Sequence, residues 1–183
     1  MKKITKLSAV MLVLLFLTAC SSKYNVPVNL SQVQKDAVLA DMQKMKVAIA
    51  AYNTSDGTID WQDIIQNALD YEKLGDLGSA INLYKSWLDK GFKTKAIINN
   101  LGRLYDKVGE TDLAVKQYLR LIDEYQDDNY LYDITWSYIN GKQRKNAEKY
   151  FNLWQLKFQK TDEQTQQAIK KLRDEEAAAK ATK

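Results

Sequence analysis

Histidine is absent from these 183 residues, and cysteine and proline occur once each. Without an imidazole there is no Ser-His-Asp triad, no Cys-His pair and no His-ligated metal, so catalysis is not expected and neither is a metal or other cofactor. A lone cysteine permits no internal disulfide. The chain is long enough to bury a core without such staples, and at about 150 residues per domain it reads as one domain. Carboxylate pairs such as Asp123-Glu124 and Asp127-Asp128 are adjacent in sequence, which points their side chains apart rather than across a cleft.

What is present begins with a leader. Lys2, Lys3 and Lys6 precede an uncharged apolar run from Leu7 to Leu17. That run is too short to span a bilayer and has the layout of a secretory signal. It ends in Leu17-Thr18-Ala19-Cys20, which resembles the lipobox of bacterial lipoproteins at all four positions. The resemblance implies that residues 1–19 are removed, that the Cys20 thiol takes a diacylglyceryl group, and that the new amine is acylated. At about 0.8 kcal/mol per buried methylene, several acyl chains anchor firmly where one would not. Ser21, which is not Asp, implies by the same resemblance an outer-membrane address facing the periplasm. Three of the 27 basic residues lie in the leader, which leaves 24 against 23 acidic ones. A chain so nearly neutral is not expected to bind nucleic acid.

Residues 20–30 read as a lipidated tether: polar, without periodicity, and holding the single proline, Pro27. At roughly 3.3 Å per residue, ten such residues reach about 30 Å from a bilayer. The segment from Ser31 to Tyr52 is one long helical pattern with no glycine break, and residues 31–56 form an N-terminal capping helix or a worn repeat.

Beyond it the sequence repeats. Tyr71, Gly75, Ala80 and Tyr84 recur 34 residues later as Tyr105, Gly109, Ala114 and Tyr118. Tyr105, Ala114 and Tyr118 then recur 33 residues on as Tyr138, Ala147 and Phe151. This period and the Leu101-Gly102-x-x-Tyr105 sequence resemble the tetratricopeptide repeat, whose unit is a pair of antiparallel helices. The resemblance covers about residues 61–161, as units near 61–94, 95–127 and 128–161. It implies an all-α fold, a short solenoid of helical hairpins capped at both ends, with residues 162–183 as a solvating C-terminal helix and frayed tail. Small residues at Ala68, Gly102, Ala80, Ala114 and Ala147 fit close helix contacts, with tyrosines filling the wider gaps beside them. Gly75, Gly109 and Gly141 suit helix ends that need a left-handed backbone, and Asp60, Asp76, Asp112 or Asp128, and Asp162 suit helix caps.

In such repeats the first helix of each unit lines a concave groove. By resemblance the inward positions are Gln62, Ile65, Gln66 and Leu69, then Asn99, Asn100, Arg103 and Asp106, then Tyr132, Asp133, Trp136 and Asn140. Asn99 or Asn100 with Arg103 can present amide and guanidinium groups together to a peptide, and Tyr132 with Trp136 can supply an aromatic anchor. Ile65 and Leu69 depart from the pattern of members that clamp a chain-terminal carboxylate. The expected function is that of a membrane-anchored periplasmic adaptor that binds a protein or peptide partner in envelope assembly. One alternative is a self-associating structural lipoprotein, with Trp87 and Trp154 on its convex face. Another is a cell-wall glycan-binding module.

Overall fold

The computed structural model describes residues 24–53 and 60–182. The leader, Cys20 and the last residues of the N-terminal cap, 54–56, lie outside them. Among the described residues the chain is all-helical, with eight helices and no strand beyond one isolated bridge. The all-α expectation therefore holds. None of these helices is long and apolar enough to cross a membrane.

The first helix, α1 (Gln32–Asn53), starts where Ser31 and Gln34 cap each other. The Gln34 amide donates to Ser31 Oγ at 3.3 Å and the Ser31 amide donates to Gln34 Oε1 at 2.9 Å, a reciprocal box that satisfies two otherwise orphaned donors. Its buried stripe is thin: Val38 and Met42 are covered, while Val33, Leu39 and Val47 are exposed. Next come α2 (Trp61–Lys73) and α3 (Leu77–Asp89). Asp60 caps α2 in a second box with Asp63, and Asp76 caps α3 by accepting from the Ser79 amide at 3.0 Å. Between them Gly75 stands at φ +76°, the left-handed backbone its position demands.

Ala68 and Ala80 are fully buried where α2 and α3 meet, as expected of small contact residues. Trp87 is 1% exposed, packed edge-on to Phe92 at 5.0 Å and tilted against Tyr52 at 5.4 Å, which ties the end of α1 to α3. It is no convex-face ligand platform: its ring is spent on the core.

A second compact unit begins at Thr94. It holds α4 (Lys95–Lys107), α5 (Thr111–Tyr125), α6 (Tyr130–Asn140), α7 (Arg144–Phe158) and α8 (Glu163–Ala181). The start of α4 follows that of α2 by 34 residues and α5 follows α3 by 34, matching the sequence period. Helix α4 packs on α5, α5 on α6, α6 on α7, and α8 on both α6 and α7. Ala114 and Ala147 are fully buried here as well. Gly102 faces Tyr118 across the α4–α5 contact, where an added Cβ would lie 2.8 Å from the ring.

Three turn expectations need correction. Gly141 has φ −77°, and Lys142 takes the left-handed conformation at +56° instead. Gly141 is needed for closeness, because a Cβ there would overlap the Thr111 side chain. Neither Asp112 nor Asp128 caps a helix: Glu110 and Asn129 occupy those positions without side-chain cap bonds, and Asp127 accepts from the Asn129 amide at 3.1 Å. Asp162 does cap α8, accepting from the Thr165 amide at 2.9 Å.

The tether is also less free than its composition suggests. The Val26 amide donates to the Gly75 carbonyl at 2.9 Å, and Asn25 forms an antiparallel bridge with Asp76.

Candidate functional site

The proposed groove residues fall in both compact units. Gln62 and Gln66 are exposed on α2, with Ile65 and Leu69 half-buried beside them. Gln66 is engaged: its Nε2 donates at 2.9 Å to Oδ1 of Asp70, which also accepts from Lys73 Nζ at 2.7 Å. Asp70 is fully buried and its other oxygen, Oδ2, has no hydrogen-bond partner.

The remaining residues belong to the second unit, on α4 and α6. Asn99 and Asn100 are half-buried and Arg103 is exposed, and Arg103 Nη1 donates to Asn100 Oδ1 at 3.3 Å. One turn on, Asp106 accepts two hydroxyls through Oδ2: Tyr118 from α5 and Ser137 from α6, each at 2.9 Å. A single carboxylate thus joins three helices. Burial raises the Asp106 carboxyl above its ordinary value of 3.8 despite both bonds, which act in the opposite sense. Tyr118 is almost wholly buried, and its phenol is pushed far above the usual range by that burial and by Asp106. Its ring stacks on Tyr130 at 5.9 Å with 12° between planes.

Asp133 lies one turn before Ser137. Its residue surface is open to solvent, yet the protein packed around its carboxyl, and after that the charge of Asp106, raises its pKa. Arg103 opposes that rise, so its positive charge is felt at Asp133. Asn140, at the end of α6, is exposed. The result is a polar face: amides at Asn99 and Asn100, a guanidinium at Arg103, and carboxylates at Asp106 and Asp133. At its edge Lys95 pairs with Asp127 and sits 5.6 Å from the Tyr130 ring centroid. That bond raises the Lys95 ammonium and lowers the Asp127 carboxyl.

The two aromatic residues are placed differently. Tyr132 Oη donates to Asp162 Oδ2 at 2.9 Å, and its ring packs against Trp154 at 5.0 Å and Trp136 at 6.4 Å. Trp136 leans on the cluster of Ile139, Ala147, Phe151 and Ile169, together with Trp154. Much of both rings is therefore used to seat α8. Trp154 is likewise half-buried, so neither Trp87 nor Trp154 supplies a free convex aromatic.

Sequence reasoning missed Ser137 and the joining role of Tyr118. Tyr118 was visible as a repeat position, but nothing in the spacing singled out its hydroxyl. Ser137 replaces Leu104 of the preceding unit and Asp70 of the one before, and that polar substitution was the available signal. Comparison with known protein families, curated proteins and solved structures finds no match to this chain.

Proposed function

We propose that this protein is a lipid-anchored adaptor whose helical hairpins are tetratricopeptide-like repeats, and that it binds an extended segment of a protein partner along the α4–α6 face of its second unit. The carrying observation is the state of Arg103. It is exposed and held toward Asn100, while the neighbouring Asp106 is committed to Tyr118 and Ser137. Asp106 thereby fixes the backbone beneath, and Asn99, Asn100, Arg103, Asp133 and Asn140 supply the recognition groups. A preorganised polar face spends little conformational entropy on binding. The 34-residue spacing of successive helix starts supports the repeat assignment.

The anchor is Cys20, where a thioether forms between Sγ and a diacylglyceryl group, the thiol proton leaving with the displaced phosphate head of a donor phospholipid. Water then hydrolyses the Ala19–Cys20 peptide bond. The site is the periplasmic face of an outer membrane, and the protein carries out no chemistry of its own.

The test is crosslinking in living cells followed by mass spectrometry, with Arg103→Glu and Asn100→Ala beside wild type. Both positions are outside the core, so partner capture should fall while circular dichroism stays unchanged. Identical partner lists and yields would refute the groove.

A second reading, self-association, is favoured by one feature. Leu156 is 79% exposed and Leu153 is 41% exposed, and with Leu131 and Lys157 they line a groove of about 390 Å³. Sedimentation over a range of concentrations discriminates: a concentration-dependent dimer abolished by Leu156→Glu supports it, and a monomer throughout removes it.

A further inference from the structure

The chain just before α1 is the one irregular segment that makes a specific bond to the body of the first unit. The Val26 amide donates to the Gly75 carbonyl at 2.9 Å, and Asn25 pairs with Asp76 across an antiparallel bridge. Gly75 is fitted for this twice over. Its left-handed backbone turns α2 into α3, and its missing side chain leaves room for the Val26 carbonyl, which a Cβ would overlap. Val28 Cγ1 closes the same slot, 3.0 Å from where that Cβ would stand. Asn25–Val28 is therefore a strap seated on the α2–α3 turn.

Only six residues separate Cys20 from Val26. Whatever path they take, they span at most about 20 Å at full extension. A tether free up to Ser31 would reach roughly twice as far and leave the first unit free to present any side. The strap removes that freedom. It also leaves Val26 40% exposed and Pro27 exposed, so apolar surface is available at this end. We infer that the α2–α3 turn is the lipid-facing pole of the first unit, held near the bilayer surface by the strap on Gly75. This rests on the lipid anchor at Cys20 proposed above.

Positions on α3 read the orientation directly. Ser79 and Asp89 are ten residues apart on that helix, or about 15 Å along its axis. With the Cys20 thiol taken up by lipid, an introduced cysteine is the sole free thiol. Full-length Ser79→Cys and Asp89→Cys chains, extracted from membranes and labelled with a fluorophore, are reconstituted in phosphatidylethanolamine–phosphatidylglycerol vesicles carrying a headgroup quencher. Quenching should be several-fold stronger at Ser79→Cys. Adding Val26→Pro, which deletes the donated N–H, should bring the two positions level. So should an insertion of about ten Gly/Ser residues after Ser22, which lengthens the tether without touching the body.

Equal quenching without these changes overturns the pole, as does a difference that survives both. Mass spectrometry of the N-terminal peptide keeps the anchor separate. An unmodified Cys20 overturns the anchor and the inference with it, whereas a lipidated Cys20 with equal quenching overturns the inference alone.

Discussion

Asp106 accepts the hydroxyl hydrogens of Tyr118 and Ser137, both of which are 1% exposed. Asp106→Ala strands those two donors away from water and should cost about 1–3 kcal/mol, read as a lower midpoint in urea. Asp106→Asn keeps a carbonyl oxygen to accept them and removes only the titration. Since the folded carboxyl is raised above 3.8, the native state holds this proton more tightly than the unfolded chain. The contribution is full below the ordinary carboxylate value and is lost as pH rises through the raised folded value. Wild type minus Asp106→Asn should therefore show stability falling across that window, measured as melting temperature against pH. Asp162 and Glu148 are depressed and act in the opposite sense, but both are unchanged in the pair and cancel. Asp133 owes part of its rise to the Asp106 charge, so its carboxyl resonance in Asp106→Asn should titrate lower. An unmoved Asp133 would mean that the two charges are not coupled. At Gly102 two effects compete. Alanine is the better helix former by about 1 kcal/mol, but its Cβ would meet the Tyr118 ring at 2.8 Å. That ring is pinned by Asp106 and by the stack on Tyr130, so it has nowhere to yield. Overpacking costs about 1–3 kcal/mol, and Gly102→Ala should melt lower than wild type.

Among the elements, α8 shows how a mostly polar helix is held. Its stripe is thin, as its sequence suggests, with Thr165 and Ile169 buried and Ala168 and Leu172 partly so. Alongside runs an ion-pair chain: Arg144 bonds Glu148 at 2.6 Å and Glu176 at 2.8 Å, and Arg173 bonds Glu148 at 2.6 Å. Pairs this close to solvent contribute about 0–1 kcal/mol each, while one buried isoleucine contributes about 1.5–3. Hydrogen exchange should decide between them: Ile169→Ala exposes α8 amides far more than Glu148→Gln does. The reverse order would make the ion pairs the clasp. The caps at Asp60, Asp76 and Asp162 were legible because each precedes an apolar period at the right distance. Those expected at Asp112 and Asp128 were not, because both turns close on backbone bonds. The burial of Tyr132 and Trp136 was not legible either. It depends on where α8 lands, and no local pattern in α6 encodes that.

For the whole molecule, the helical hairpins were readable because a 34-residue period repeats small residues where helices touch, and Ala68, Ala80, Ala114 and Ala147 are all fully buried. The docking of the tether was not, since a single Gly75 carbonyl and an empty Cβ slot leave no periodic trace. Nor does the period announce the division at Lys93 and Thr94. That division carries a prediction about cooperativity. The first unit is built on three helices, of which α1 spends only a narrow stripe on packing and leaves Val33 79% exposed. It also buries Asp70 with one oxygen unmatched, a burden of about 1–3 kcal/mol that a satisfied carboxylate would not carry. The second unit has five helices, the three-helix joint at Asp106 and the clasp on α8. Local stability tracks buried contacts and satisfied bonds, so the units should open at different denaturant concentrations. Native-state hydrogen exchange in rising urea should show amides of α2 and α3 losing protection before those of α4 to α7. Asp70→Asn, which relieves the buried charge and keeps an acceptor for Gln66 and Lys73, should narrow the gap. A single shared midpoint for all these helices would instead make the chain one cooperative unit and leave the division at Thr94 without energetic meaning.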